Sequence, residues 1–432
     1  MNPSPLSPCP GDKRSDKPMT TNNLIRKLLQ LKDLRVVSFV FRSRARELHL
    51  FVKPYKNGCR CPQCERRCKI KRISRELRSW RDVCVCGRIV RLLYSPKEIE
   101  CPTHGRIQEK IPWADKQARI TYRLEYLVLV YAQMMTQKSA ARLLRMSNST
   151  FSDILHRTIT RVRDGHRIRS LTAIGIDEVS YCKGHKYVTV VYDLERSQVV
   201  WVGPGKKRKT IDRFFNEILS DYQKKKIEWA CCDMSETYIG AIKDHCPNAK
   251  LVLDRFHIVK ALSNAMDEVR KQEWRKATGA EKKALKGLRW ILFKHPVNRT
   301  PEDKRILAVI RKSNRRIFRA SVLKDEFDLF WHYKSEWAAR RFLKTWCTTA
   351  LKSRLQPIRG FVATLRKHTE NIITFIQSRL TNATAEGLNR IIRIIKNRAS
   401  GFRTVDAFID LIYLTIGDVD IPAQIPARFR TT

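Results

Sequence analysis

The sequence predicts a multidomain α+β protein, and three observations carry that expectation. The chain has 432 residues, which at ~150 per domain allows about three domains with their own cores. Its hydrophobic period changes along the chain: TAIGIDEV, KYVTVVYDL and QVVWVG alternate as strands do, whereas residues 118–163 and 256–370 keep helical spacing. A basic, cysteine-rich segment, residues 57–105, stands apart from both. With 43% hydrophobic residues and nine tryptophans, the chain has the apolar surface to fold.

Taken in order, residues 1–18 are Pro/Ser-rich and read as a disordered lead-in, with Met19 an alternative start. A short helix near Leu24–Leu31 precedes strands over Arg35–Phe41 and Glu47–Val52. Beyond the alternating block come a helix from Thr210, a buried strand IEWACC, a second helix and the strand KLVLD. Helices then fill 256–370, 384–398 and 404–415, and no internal repeat interrupts them.

Lys plus Arg number 87 against 42 Asp plus Glu, a net charge of +45. Solubility needs a charge of only about 2–8 in a small domain, so this surplus implies a polyanionic partner, most simply nucleic acid. Apolar stretches such as Tyr126–Met135 fall short of the ~20 residues a membrane span requires. No export signal is visible, so the expected location is cytoplasmic. Thirteen cysteines in such a chain point to metal ligands and buried thiols rather than disulfides.

Cys61-Pro-Gln-Cys64 and Cys101-Pro-Thr-His104 are two tight turns, each aiming two ligands at one point. Together they complete a tetrahedral Cys3His site for Zn2+, a zinc ribbon or knuckle. The 36 residues between Cys64 and Cys101 call for a β-hairpin, expected over Val83–Tyr94. Cys59 and Cys68 are rival ligands, and Cys84 and Cys86 would alternate on a strand. Eight Lys/Arg between Lys53 and Arg72 suit this module to phosphate contact.

The stretch TQKSAARLLRMSNSTFSDILHRTI fits a helix-turn-helix with its turn at Met146–Ser149. Ala140, Ala141 and Leu144 face inward on the first helix, and Phe151, Ile154 and Leu155 on the second. Ser147 or Asn148 caps the second helix. Ser149, Thr150, Ser152 and Arg157 would then face a major groove.

Asp177 is expected at the end of the strand TAIGID and Asp233 immediately after IEWACC. Glu386 opens a helix that buries Leu388, Ile391, Ile392 and Ile395 and leaves Asn389, Arg390 and Arg393 on its other face. Converging carboxylates repel, and two Mg2+ (or Mn2+) ions about 3.5–4 Å apart would neutralise them and activate a hydroxyl against a phosphodiester.

The blocks GIDEVSYCKGHKYVTVVYDL, CCDMSETY, LVLDRFHIVK and NATAEGLNRIIRIIKNRASGFR resemble the DDE transposases of the ISL-three insertion-sequence family. The resemblance spans roughly residues 22–416 and is most specific at Glu386–Asn389 and Gly401–Arg403. It departs from the family's pattern at His104, where a cysteine is more usual. It implies a ribonuclease-H-like α/β catalytic core whose acidic triad is Asp177, Asp233 and Glu386, interrupted by an all-helical insertion domain. The implied activity is bacterial transposition: binding of terminal inverted repeats of double-stranded DNA, cleavage, and strand transfer by at least a dimer in the nucleoid. The alternative is a DNA-binding repressor or domesticated protein that no longer cuts. The expected domains are a zinc-binding domain at 19–115, a helix-turn-helix domain at 116–170, a core of 171–255 plus 371–416, the insertion at 256–370, and a tail at 417–432.

Weaker signals remain. Asp254 and His257 sit at a strand-to-helix junction near the triad and would support the site. Glu178 is expected on the strand face opposite Asp177. Lys206, Lys207, Arg208 and Lys209 form a basic turn suited to DNA. Trp274, Trp290, Trp331, Trp337 and Trp346 lie in the insertion, most of them expected in its core. Cys231 and Cys232 read as inert buried thiols. Charge is divided unevenly: +23 in residues 1–170, +17 in 256–370, and only +5 in the two core segments.

Overall fold

The computed structural model describes residues 20–31, 34–54, 59–165, 168, 170–182, 184, 186–378, 383–399 and 401–417. The expected lead-in and nearly all of the tail lie outside them. The chain divides into two compact units, one ending at Arg161 and the other beginning at Val162.

In the first unit, α1 (Thr21–Leu28) leads into β1 (Leu34–Arg42) and β2 (Glu47–Pro54). Alternation along β2 buries Leu48, Leu50 and Val52. Six short strands follow: β3 (Cys59–Arg60), β4 (Arg67–Ile73), β5 (Arg78–Arg81), β6 (Ile89–Tyr94), β7 (Lys97–Cys101) and β8 (Gly105–Gln108). They form two sheets, ordered β1-β2-β6-β5 and β3-β4-β7-β8. The expected hairpin over Val83–Tyr94 is present only as a tight turn bridged between Val85 and Arg88, and its sheet partners differ from those expected. β6 pairs with β5 and joins β2 in the first sheet, because Val90, Leu92 and Trp80 fill the same core as Leu50. Neither Cys84 nor Cys86 is on a strand: Cys84 lies in irregular chain and Cys86 in a turn, at a left-handed φ of 47°. Helices α2 (Tyr122–Met134), α3 (Gln137–Leu143) and α4 (Asn148–Asp164) follow.

The second unit is built on a five-stranded sheet of β9 (Ala173–Cys182), β10 (Lys186–Asp193), β11 (Gln198–Pro204), β12 (Trp229–Cys232) and β13 (Lys250–Leu253). Its order is β11-β10-β9-β12-β13. The first three strands form an antiparallel meander, and β12 and β13 run parallel to β9. α5 (Arg208–Arg213), a π-helical turn at Phe214–Ile218 and α6 (Asp221–Lys226) connect the meander to β12, and α7 (Glu236–His245) connects β12 to β13. Eight helices follow without a further strand among the described residues up to 378: α8 (Arg255–Lys276), α9 (Gly279–Ala284), α10 (Leu288–Phe293), α11 (Pro301–Ser313), α12 (Arg315–Phe327), α13 (Glu336–Lys352), α14 (Gln356–Lys367) and α15 (Thr369–Ser378). One continuous apolar core joins the sheet to this helical array, running from Ile176 and Leu253 through Ile258 and Leu262 to Phe327 and Phe361. α16 (Ala383–Ala399) and α17 (Val405–Ile416) close the unit. The buried Tyr413 hydroxyl of α17 accepts from the Val202 N–H of β11 at 3.0 Å.

Two of the five insertion tryptophans, Trp331 and Trp346, are buried, but Trp274, Trp290 and Trp337 are exposed. This corrects the expectation that most are core. Each exposed indole lies beneath a cation, Lys282, Arg289 or Arg341, and that contact lets an aromatic ring rest at a basic surface.

Candidate functional site

Strand register builds the acidic site. Parallel pairing sets Cys231 of β12 against Gly175 of β9, so two residues further on Asp233 follows alongside Asp177. The same pairing sets Cys232 against Leu253 of β13, and one step on Asp254 stands beside Asp233. Adjacent strands lie ~4.8 Å apart, so the three aspartates form a row across the carboxyl ends of β12 and β13 and the middle of β9, on the side where open α/β sheets place their ligands. Asp177 is not a strand terminus, as expected, but mid-strand, opposite Val190 of β10. β12 stops short of it, so one side of β9 is left without a partner strand there.

An open cleft of about 310 Å³ lies along this exposed edge, lined by Asp177, Glu178, Asp254, His257, Glu386 and Asn389 among others. Asp233 borders the cleft rather than lining it; its Oδ1 accepts from the Ser235 N–H at 3.0 Å. Alternation along β9 holds as expected: Asp177, opposite Val190, shares a face with Tyr192 and Asn389, whereas Glu178, opposite Thr189, lies on the face of Tyr238. Both line the cleft because it opens along the edge of β9. Asp254 caps α8 by accepting from the Phe256 N–H at 3.0 Å. His257 Nε2 lies 3.7 Å from the Asp254 carboxylate.

Asn389 also departs from expectation. It is buried, donates from Nδ2 to Asp177 Oδ2 at 2.7 Å, and accepts from the Tyr192 hydroxyl at 2.6 Å. Sequence reasoning placed it with Glu386 on the polar face of α16 but missed that this face packs on β9. The i, i+3 spacing of Glu386 and Asn389 was the available signal.

Burial raises the Asp177 pKa above the ordinary carboxylate range. The Glu178 N–H, His257 and Asn389 oppose that rise, and Asp233 adds to it by repulsion. Glu178 is also raised, by burial first, with Lys206 opposing and Asp233 and Asp177 reinforcing. A site that crowds half-buried carboxylates until their charge is disfavoured has the chemistry of a cation site, although Glu386 is exposed at its rim. The core carboxylates are nevertheless less tightly gathered than the Cys/His group of the first unit.

That group is Cys61, Cys64, Cys101 and His104, whose ligand atoms all lie within 4.8 Å of one another. Cys61 Sγ–His104 Nδ1, Cys101 Sγ–His104 Nδ1 and Cys64 Sγ–Cys101 Sγ are each 3.6 Å. Zn–S bonds of about 2.3 Å and Zn–N bonds of about 2.0–2.1 Å give tetrahedral edges of roughly 3.6–3.8 Å, so the donor set fits zinc. Desolvation acts against ionisation of Cys101, but the backbone N–H groups of Thr103 and His104 bring its thiol down to about 6. Cys59 is pushed up to about 12 by burial and by Glu109, and Cys68 points its thiol at the Arg66 carbonyl. Neither rival belongs to the quartet.

The helix-turn-helix forms from α3 and α4. Ser147 caps α4 by accepting from the Thr150 N–H at 3.0 Å. The hydroxyls of Ser149 and Thr150 cluster on the cap at 2.9 and 2.8 Å, exposed at the start of the helix, with Ser152 half-buried behind them. Arg157 does not point freely outward, since its guanidinium donates to the buried Glu125 of α2 at 3.0 Å. In the basic turn, Lys206 pairs with Glu178 at 3.7 Å, and Arg208 is held between Asp212 and Asp244, at 2.7 Å from each. Lys207 and Lys209 are exposed.

A mixed sheet with carboxylates at the ends of its parallel strands, in a strongly basic chain with a helix-turn-helix, defines a class: a DNA-handling protein with an acidic, enzyme-like core. The comparisons make this specific. Residues 174–412 match the family model for the transposase of ISL3 type, and residues 109–159 match the helix-turn-helix domain of transposase family ISL3. The chain belongs to the ISL3 family of transposases. The transposase for insertion sequence element IS1557 of Mycobacterium tuberculosis is 28% identical over 384 residues, covering 83% of this chain and 85% of that protein. The transposase for insertion sequence element IS1001 of Bordetella parapertussis is 28% identical over 370 residues, covering 84% and 90%. The Drosophila P element transposase strand transfer complex aligns at 10% identity with a TM-score of 0.33, over 68% of this chain and 90% of that one, too distant a likeness to argue from. Among the described residues no helix is long and apolar enough to cross a membrane.

Proposed function

We propose that this chain binds the terminal inverted repeats of a bacterial insertion sequence and cuts and joins DNA through Asp177, Asp233 and Glu386. The observation that carries this reading is the register that sets Asp177 and Asp233 side by side, with Glu386 lining the same cleft as Asp177. The sheet order β11-β10-β9-β12-β13 supports a ribonuclease-H-like core, with the helical array as its insertion. Asp177, Asp233 and Glu386 would hold Mg2+ or Mn2+, which supply Lewis acidity to the phosphodiester and lower the pKa of the attacking hydroxyl. In the first step water attacks phosphorus and the 3′-oxygen at the element's end leaves as a hydroxyl. In the second, that 3′-hydroxyl attacks a target phosphodiester and displaces the target's own 3′-oxygen. No protein nucleophile is consumed in either step.

Asp254 and His257 border the reacting phosphate in this reading and support the site. The Cys61/Cys64/Cys101/His104 quartet would hold structural Zn2+, leaving the basic residues around it for phosphate contact. Ser149, Thr150 and Ser152 at the start of α4, with Lys207 and Lys209, are the DNA contacts proposed. Joining two ends requires at least a dimer, acting in the cytoplasm at the nucleoid. The test is incubation of the full chain with Mg2+ or Mn2+ and a labelled repeat-end duplex. Wild type is expected to release a 3′-hydroxyl end and Asp233→Ala to bind the duplex without cutting it. Equal cutting by the two proteins overturns the assignment, and equal failure to cut favours the repressor alternative.

A further inference from the structure

We propose that Asn389 is a positioning residue that fixes the Asp177 carboxylate and sets its distance from Glu386, an inference resting on the triad reading above. The Asp177 carboxylate takes one hydrogen bond on each oxygen: Oδ1 from the Glu178 N–H at 2.7 Å and Oδ2 from Asn389 Nδ2 at 2.7 Å. Two bonds on opposite oxygens stop the carboxylate rotating, and each oxygen keeps a lone pair for a cation. The Asn389 amide is itself oriented. A carboxylate only accepts, so Nδ2 must face Asp177; that turns Oδ1 toward the Tyr192 hydroxyl, which donates to it at 2.6 Å. Tyr192 is fully buried in β10, so the donor at the far end of this chain of bonds cannot swing away.

The same contact governs Glu386, three residues earlier on α16 and therefore on nearly the same helix face. Two turns beyond Asn389, Lys396 donates to the Ser180 carbonyl of β9 at 2.7 Å. α16 is thus tied to β9 at Asp177 and again at Ser180, and these ties set where Glu386 enters the cleft that Asp177 lines. Outer partners of this kind typically hold about 10–100-fold of metal affinity.

The experiment measures Mn2+ binding to the purified full chain by calorimetry for wild type, Asn389→Ala, Tyr192→Phe and Asp177→Asn. Repeat-end DNA affinity and the Mn2+ dependence of cleavage are measured beside it. Asn389→Ala is expected to weaken Mn2+ binding about tenfold or more, with DNA affinity unchanged and cleavage partly restored at high Mn2+. Tyr192→Phe removes one hydroxyl and is expected to show a smaller shift in the same direction, which keeps the test open if Asn389→Ala does not fold. Mn2+ isotherms for both variants that superimpose on wild type overturn the proposal. If Asp177→Asn also binds Mn2+ as wild type does, the triad reading itself fails.

Discussion

Arg161 of α4 donates to the Glu125 carboxylate of α2 at 2.7 Å, and Arg157, one turn earlier, donates to its other oxygen at 3.0 Å. Glu125 is only 2% exposed, whereas the two arginines keep part of their surface in water. Arg161 also pairs with Asp115. The pairing is therefore asymmetric. Removing Glu125 leaves cations that water can solvate, but removing both arginines strands a buried charge, which costs about 3–5 kcal/mol. The double variant Arg157→Ala/Arg161→Ala should lose amide-exchange protection across α2 and α4, and Glu125→Gln should lose less. Unchanged protection in the double variant would show that the pairing does not hold the helices together.

Zinc content should follow the quartet and not its rivals. Cys61→Ser and Cys101→Ser are expected to lose the bound zinc of the wild type, whereas Cys59→Ser and Cys68→Ser retain it. Chelation should expose the first unit to protease while leaving the second intact, since structural zinc contributes directly to folding. Atomic absorption on the four variants decides it, and full zinc in Cys101→Ser would refute the ligand set.

Asp177 makes stability depend on pH in a defined direction. Its folded-state pKa is raised by burial, with Asp233 reinforcing, above the ordinary value of about 3.9. Between those two values the folded chain keeps a proton that the unfolded chain has released, so stability falls as pH rises through the window. Without divalent ions, the melting temperature of wild type should fall relative to that of Asp177→Asn as pH rises through the window, since only the wild type titrates there. Cleavage should rise with pH through the same window, as the carboxylate becomes free to bind a cation. Melting curves of the two proteins that stay parallel at every pH would contradict this account.

Gly203 allows Trp201 to lie flat over β11. A Cβ at position 203 would sit 2.0 Å from the indole Cη2 and 2.6 Å from Cζ2. Trp201 packs on Phe214 at a ring-centroid distance of 5.7 Å, so it has no free space to enter. Gly203→Ala should cost about 1–3 kcal/mol through overpacking, seen as a lower melting temperature and an altered tryptophan near-ultraviolet signal. A variant with both unchanged would show that the sheet shifts to accommodate the methyl group.

Much of this protein was legible locally. Cys-x-x-Cys and Cys-x-x-His turns position their ligands within four residues, so spacing put forward the quartet that the structure brings together, with Cys59 and Cys68 left as rivals. The same holds for the Ser147 cap and for the inward faces of α3 and α4, where Ala140, Ala141, Phe151 and Leu155 are buried as their periodicity requires. The core strands were read correctly in order because alternation of β-branched residues is also a local signal.

The misreadings concern which element lies beside which. Nothing near residue 89 states that β6 pairs with β2 rather than closing the zinc knuckle, and nothing near Asp177 states that its strand runs on to Cys182 after β12 has ended. Asn389 looks like a surface residue until β9 supplies Asp177 and Tyr192. By itself the sequence determined the chemistry available: soft ligands in pairs, acids at the strand ends and on a late helix, and a positive charge concentrated outside the core. Only the tertiary structure decided how those acids are held, because strand register and helix docking depend on contacts between residues as far apart as Asp177 and Asn389, which no local pattern encodes.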